Sequence, residues 1–149
     1  MEEKSKYLWH GSPKKIEGDM LLPRKGRDIR NVPENVQVGV YASDNKDIAI
    51  AMALVKCVGM VRGGLYYDKT PIQGIAYEGW PAQEQIYVYK LSSNTFRQSG
   101  GERQWVSSEP VTYVNIEEIP VKDVIHLLRK PTYEEKINYE RQFGVKLKD

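Results

Sequence analysis

The residue best placed for chemistry is His10, one of only 2 histidines in a chain of 149 residues. It ends an apolar run and is followed by Gly11 and Ser12, and a strand that opens onto glycine lets the backbone approach a ligand closely. The other histidine, His126, lies in an alternating run and is expected on a sheet surface. Two histidines and the single Cys57 are too few soft ligands for a structural zinc site, so metal-free chemistry is the expectation.

Basic and aromatic side chains supply further candidate ligand contacts. A polar loop over residues 14–37 contains the basic residues Arg24, Lys25, Arg27 and Arg30, which could donate to a phosphate, although such a run is also typical of a solvated loop. The chain has 10 tyrosines against 2 phenylalanines, and rings with a polar edge suit ligand clefts as well as half-buried strands. A near balance of 22 Lys+Arg and 20 Asp+Glu argues against a large nonspecific nucleic-acid footprint but allows a local basic patch.

The elements that must position these residues form one α+β domain over residues 1–149, with more strand than helix. The strand-like runs are 7–9, 38–42, 86–91, 104–108, 111–116 and 121–128. Residues 59–85, rich in Gly, Tyr and Pro, predict a hairpin or an irregular excursion. A helix over 48–57 is apolar nearly all round and is expected to be buried, with its N-cap supplied at Ser43-Asp44.

The C-terminal segment predicts a second helix, from 133 to about 143, capped by Thr132. Its charges alternate, and Tyr133, Ile137 and Phe143 are expected to pack on the body of the domain. No apolar run approaches the roughly 18 to 20 residues of a membrane span. The first residues lack the pattern of a signal peptide, and Cys57 has no disulfide partner, so a cytoplasmic setting is the expectation.

Three short segments occur in order: Leu8-Trp9-His10-Gly11-Ser12, Gly39-Val40-Tyr41-Ala42-Ser43-Asp44 and Ser108-Glu109-Pro110-Val111-Thr112-Tyr113-Val114. From His10 to Tyr41 is 31 residues, and from Tyr41 to Glu109 is 68. These segments resemble the His, Tyr and Glu motifs of the poly(ADP-ribose) polymerases and related ADP-ribosyltransferases. The resemblance implies a compact fold of two packed, mainly antiparallel sheets, a split β-sandwich flanked by a few helices.

The same resemblance implies an NAD+-dependent enzyme that transfers a single ADP-ribose to a protein or nucleic-acid acceptor and releases nicotinamide. His10 would hold a hydroxyl of the adenosine ribose. Gly11 would pair its backbone N–H and C=O with the nicotinamide carboxamide, where a Cβ would obstruct, and Ser12 would add a hydrogen bond. Tyr41 would pack against the nicotinamide ring. Glu109 would bond the ribose at the scissile link, stabilise the growing positive charge and orient or deprotonate the acceptor.

The chain also departs from the family at one position of the site. Arg24 and Arg27 would reach the pyrophosphate, but the helix after Tyr41 lacks the second aromatic that relatives place beside the nicotinamide. Three alternatives follow: Met52 supplies a softer contact, NAD+ binding is weak, or an aromatic folds over from the segment that contains Tyr66, Tyr67, Tyr77 and Trp80. The glutamate is also open, because Glu102, Glu117 and Glu118 lie near Glu109 in sequence. Glu109 is preferred for its strand-start position and the Val-x-Tyr pattern that follows.

A non-catalytic binding module on the same fold is the alternative hypothesis. There the aromatic segment, with Arg62 and Lys69, would hold a nucleotide or single-stranded nucleic acid by stacking and charge. An NAD+ glycohydrolase and an RNA 2′-phosphotransferase-like enzyme are close variants, and the second usually needs additional His and Arg residues. The acceptor and the oligomeric state are left open by the sequence.

Overall fold

The computed structural model describes residues 5–25, 38–66, 72–98 and 104–148. Its strands are β1 (Tyr7–Ser12), β2 (Met20–Leu21), β3 (Arg24–Lys25), β4 (Val38–Ala42), β5 (Met60–Tyr66), β6 (Gln73–Gly79), β7 (Gln85–Ser92), β8 (Arg97–Gln98), β9 (Trp105–Ser107), β10 (Val111–Pro120) and β11 (Leu128–Arg129). Its helices are α1 (Lys46–Leu54), α2 (Val121–Val124), a 3-10 turn (Ile125–Leu127) and α3 (Tyr133–Phe143). The mixture confirms the predicted α+β class.

The strands of the described residues form three sheets, where two were predicted. The first sheet has the order β1-β7-β10-β2, the second β3-β4-β9-β8 and the third β11-β6-β5. All strand pairs are antiparallel except β11 with β6. The third sheet contains the β5-β6 hairpin, which confirms the hairpin alternative for residues 59–85.

Strand β7 lies at the centre of the first sheet and faces a buried cluster on each side. Ile86 and Val88 point toward α1, whereas Tyr89 and Leu91 point toward the second sheet, as the period of a strand requires. We call the first cluster the helix-side core; its members are Ala49, Ile50, Ala53, Leu54, Cys57, Ala76, Ile86, Val88, Ile119, Val121, Leu127 and Leu128. The second is the sandwich core, with Leu8, Leu21, Val40, Ala42, Tyr89, Leu91, Phe96, Trp105 and Val111.

Helix α1 is buried nearly all round, as its composition predicts, because it lies between the first and third sheets. Its N-cap is Asn45, not Ser43-Asp44 as predicted. The Asn45 side chain accepts hydrogen bonds from the backbone N–H groups of Asp47 and Ile48. Ser43 is committed elsewhere, since its backbone pairs with Trp9 and its hydroxyl accepts from the Asn45 N–H at 3.1 Å.

Three strand predictions were wrong in extent or type. β10 runs to Pro120, four residues past the predicted end at 116. β1 continues through His10, Gly11 and Ser12, because all three pair with β7. The segment 121–128 is α2 followed by a 3-10 turn, and only its last residue is in a strand. Its apolar residues also follow helical spacing, so periodicity alone could not separate the two states. His126 is therefore an exposed residue of a turn and does not lie on a sheet surface.

Helix α3 has the predicted bounds, and Thr132 and Glu135 form a full capping box. It docks on the third sheet through Tyr139, whose ring stacks on Tyr77 with centroids 4.2 Å apart. Arg129 binds both carboxylate oxygens of Glu135, at 2.7 and 2.8 Å, and holds the pKa of that carboxyl down to about 2. The prediction that Tyr133 packs on the body was wrong, because its side chain is 81% exposed.

Candidate functional site

The first two sequence motifs meet where β1 and β4 touch. Trp9 and Ser43 form an isolated antiparallel bridge, with N–H to C=O distances of 2.8 and 2.9 Å in the two directions. In a continuing ladder the next hydrogen-bonded pair would be Gly11 with Tyr41. That pair is not formed among the described residues, and the Tyr41 carbonyl instead accepts a hydrogen bond from His10 Nδ1 at 2.6 Å. The two strands therefore separate after one rung, and we call the gap between Gly11 and Tyr41 the open rung.

The peptide groups of Gly11 face the open rung. Because both backbone groups of Trp9 point to Ser43, those of Gly11, two residues on, point from the same edge of β1 and away from β7. Gly11 is buried, and no residue in the described ranges is a backbone partner for its outward N–H and C=O. Such groups require a partner when they leave water. The open rung thus offers one donor and one acceptor side by side.

Close packing against α1 requires a glycine at position 11, a requirement that the sequence did not indicate. A Cβ there would stand 1.8 Å from the Ala49 carbonyl oxygen and 3.1 Å from the Ala53 Cβ. Helix α1 therefore presses directly on β1 at this residue. Because Gly11 has no side chain, α1 can pack against β1 at this residue. The groups available to a ligand are the backbone N–H and C=O of Gly11.

His10 points to the opposite face of the first sheet, above Tyr89 of the sandwich core. A carbonyl oxygen only accepts, so the hydrogen bond to Tyr41 places the ring proton on Nδ1 and leaves Nε2 as an acceptor in the neutral ring. Burial lowers the pKa of His10, the hydrogen bond to Tyr41 raises it, and the positive charges of Lys56 and Arg24 lower it, so that together they bring it to about 4. The ring is neutral at physiological pH and is held in one tautomer.

Two positively charged side chains, those of Arg24 and Lys56, act on the His10 ring. Arg24 is an exposed residue of β3 and stands opposite Gly39, two residues before Tyr41. Lys56 lies in the turn after α1, where its backbone N–H donates to the Ala53 carbonyl at 3.2 Å. Lys56 lies outside all three sequence motifs, which therefore did not indicate it. Both charges lower the pKa of the His10 ring.

Tyr41 and Ser12 have different relations to the open rung. Tyr41 pairs with Val106 of β9, so its side chain points away from the sandwich core. The Ser12 hydroxyl donates to the Lys14 carbonyl at 2.8 Å and accepts from the Lys14 N–H at 3.2 Å. It therefore closes the turn after β1, which is the structural reason for a serine at this position.

Glu109 lies in the bend between β9 and β10, two residues before the strand begins, and its side chain is exposed. Its backbone is fixed by Ser107, whose hydroxyl accepts from the Glu109 N–H at 3.2 Å and donates to its carbonyl at 3.1 Å. β9 places it three residues beyond Val106, the partner of Tyr41. Among the alternatives, Glu117 forms an ion pair with Lys46 at 2.5 Å and Glu118 is exposed on β10. Glu102 lies outside the described residues.

No protein-family model, curated protein or solved structure matches the chain. The resemblance at the three motifs therefore stays a prediction.

Three of the suggested replacements for the second nicotinamide aromatic have contacts elsewhere in the structure. Met52 packs beside Ile48 and Leu65, on the side of α1 that faces the third sheet. Tyr77 stacks on Tyr139, and the Tyr66 hydroxyl donates to Glu135 at 3.1 Å. These contacts anchor α3 and account for part of the tyrosine excess, so Met52, Tyr66 and Tyr77 do not complete the open rung.

Several predicted contacts fall outside the described residues, namely Arg27, Arg30, Tyr67 and Lys69. Within the ranges that are described, no three His, Cys, Asp or Glu side chains come together in a way that could hold a metal ion. In the same ranges, no helix is both long and apolar enough to span a membrane.

Proposed function

We propose that the protein is an NAD+-dependent ADP-ribosyltransferase that binds the nicotinamide end of its cosubstrate at the open rung. The observation that supports this most directly is the Gly11 peptide, whose N–H and C=O point together from a buried strand edge. A primary carboxamide carries one acceptor and one donor on the same side and pairs with such a peptide by two hydrogen bonds. Nicotinamide has this group.

The His10 ring supports the same assignment through its fixed tautomer. Nε2 is an acceptor at neutral pH because Nδ1 donates to Tyr41 and the pKa of the ring is about 4. It would accept a hydrogen bond from a ribose hydroxyl. Tyr41, on the other side of the open rung, would pack its ring against the nicotinamide. Arg24 and Lys56 would favour the pyrophosphate, with Arg27 as a further candidate.

The reaction would break the bond between C1′ of the ribose and the nicotinamide nitrogen. Nicotinamide leaves with the bonding electron pair, and a lone pair of the acceptor forms the new bond to C1′ while its proton passes to a carboxylate or to water. Glu109 is the candidate carboxylate, which would stabilise the positive charge that grows on the ribose. With water as acceptor the same steps give NAD+ hydrolysis.

Nicotinamide release from NAD+ and calorimetric NAD+ binding test this proposal together. Glu109→Gln is expected to lower release by about 100-fold or more while NAD+ still binds. His10→Asn keeps a donor near the position of Nδ1 but removes the Nε2 acceptor, and is expected to weaken NAD+ binding about ten-fold.

Glu118→Gln is the matched control for the glutamate, because Glu118 is also exposed and lies on β10. It is expected to behave as the wild type. A protein that neither binds NAD+ nor releases nicotinamide would show the proposal to be wrong. Loss of release in Glu118→Gln and not in Glu109→Gln would overturn the choice of carboxylate.

A further inference from the structure

Two backbone turns, at Gly59 and Gly79, lie at the open end of the β5-β6 hairpin and position the exposed side chain of Trp80. Gly59 and Gly79 both have positive φ, 93° and 90°, which side chains rarely adopt. A Cβ on Gly59 would lie 2.3 Å from the Trp80 carbonyl oxygen. The Trp80 N–H donates to Gly59 at 3.2 Å and the Ala82 N–H donates to Val58 at 2.6 Å. Trp80 is 36% exposed and Val58 is 63% exposed, so a rigid backbone presents both side chains to solvent.

One lysine contacts the Trp80 ring, and further lysines lie in neighbouring segments of the chain. Lys130 places its Nζ 5.0 Å from the Trp80 ring centroid and donates to the Gly79 carbonyl at 3.3 Å. Lys14 and Lys15 are exposed and follow Pro13 directly. In residues 13–17, 56–59, 79–84 and 130 the exposed charged side chains are Lys14, Lys15, Lys56, Lys130, Glu17 and Glu84. Glu78, next to Gly79, is half-buried and accepts from the Lys148 N–H at 3.0 Å. Positive charge therefore prevails here although the whole chain is nearly balanced.

The region around Trp80 is joined to the turn that leaves the open rung. Gln83 accepts from the Val58 N–H at 2.8 Å and donates to the Pro13 carbonyl at 2.6 Å. Pro13 is two residues after Gly11 in the chain. We call this region the Trp80 surface, comprising Lys14, Lys15, Val58, Trp80 and Lys130.

We propose that the Trp80 surface binds single-stranded nucleic acid and leads it toward the open rung. An exposed indole offers a stacking face to any unpaired base, and flanking lysines track the phosphates, which is how sequence-independent single-strand sites are built. Val58 adds an apolar contact beside the ring. An acidic peptide would meet the same cations but has no need of the indole face, so the fixed Trp80 favours the nucleic acid.

The role of the nucleic acid as ADP-ribose acceptor rests on the proposed function, whereas its binding to the Trp80 surface does not. As acceptor, a hydroxyl or base nitrogen of the strand would form the bond to C1′ as nicotinamide departs with its electron pair, and the acceptor proton would pass to a carboxylate or water.

Fluorescence anisotropy with a labelled twelve-residue oligothymidylate and its duplex tests the binding. The single strand is expected to bind more tightly than the duplex, and Trp80→Ala is expected to weaken it about ten-fold. Lys14→Gln with Lys15→Gln is expected to weaken binding and flatten its salt dependence. Tyr133→Ala is the aromatic control, since Tyr133 is more exposed and begins α3, near Glu135 and the Tyr66 end of β5. Lys6→Gln, at the start of β1, is the charge control.

Both controls are expected to bind as the wild type. Unchanged binding in Trp80→Ala, equal affinity for duplex and single strand, or full competition by polyglutamate at equal charge would each overturn the proposal. His10→Asn separates the two proposals: it is expected to bind the oligonucleotide normally while NAD+ binding weakens. Trp80→Ala is expected to show the reverse, with nicotinamide release unchanged. Loss of NAD+ binding alone would thus count only against the proposed function.

Discussion

At the scale of single residues, His10 keeps one protonation state and one hydrogen bond across the pH range in which histidines usually titrate. Its Nδ1 donor is committed to Tyr41, and burial lowers its pKa from 6.5 to about 4. The unfolded chain takes up the proton near pH 6.5, while the folded protein takes it up only near pH 4. Between these values the unfolded state binds more protons, so folded-state stability is complete above pH 6.5 and falls as the pH drops.

We therefore expect the wild type to lose about 2 kcal/mol of unfolding free energy between pH 7 and pH 5 through this one residue. Urea unfolding at the two pH values measures the loss. His10→Asn should remove this part of the pH dependence, whereas His126→Asn, at the exposed histidine, should keep it. Equal pH dependence in the wild type and His10→Asn would contradict the assignment.

The sequence indicated the residues of the open rung but not the open rung itself. His10, Gly11 and Tyr41 stand in recognisable motifs, yet their arrangement depends on β1 and β4 pairing for one rung and then separating. That event involves residues 31 positions apart in the chain, and no local pattern encodes it. The environment of Met52 is also set by tertiary packing, because it depends on the third sheet.

At the scale of elements, the contact between α1 and β1 controls the geometry of the site. The helix lies so close to Gly11 that the Ala49 carbonyl occupies the space a side chain would need. Gly11→Ala is expected to lower the unfolding free energy by about 3 kcal/mol, because the clash is with backbone and cannot be relieved by a rotamer change. Thermal or urea unfolding measures it.

Gly18→Ala is the control for glycine replacement. Gly18 has a φ of 84° but no atom within 4 Å of an added Cβ, so its cost is limited to backbone strain of about 1 kcal/mol. If the two replacements cost the same, the close approach of the helix is not the reason for Gly11.

The elements that sequence predicted well are those with strong local signals. The bounds of α3 follow from its capping box, and the burial of α1 follows from its uniform apolar composition. The strand prediction for 121–128 was wrong because strand alternation and helical spacing coincide there. Its conformation is decided by packing, since Val121, Leu127 and Leu128 all enter the helix-side core.

At the scale of the whole molecule, β7 couples the two cores. Ile86 belongs to the helix-side core and Leu91 to the sandwich core, and both are fully buried. Ile86→Ala and Leu91→Ala are each expected to cost about 2 to 5 kcal/mol. Because one strand serves both cores, each variant should move a single transition that far-UV and near-UV circular dichroism follow together. Two separate transitions would show that the cores unfold independently and that residues 1–149 are not one cooperative domain.

Three segments meet at Gln83, and the hydrogen bonds there require an amide side chain at this position. Its amide oxygen accepts from the Val58 N–H, beyond the end of α1. Its amide nitrogen donates to the carbonyls of Pro13 and of Gln85, the first residue of β7, at 2.6 and 2.7 Å. Only a side chain with an acceptor and two donors on one planar group can make all three contacts. Glutamate lacks the donors and lysine lacks the acceptor, so a change of charge here would release the turn after β1 from the turn that carries Trp80.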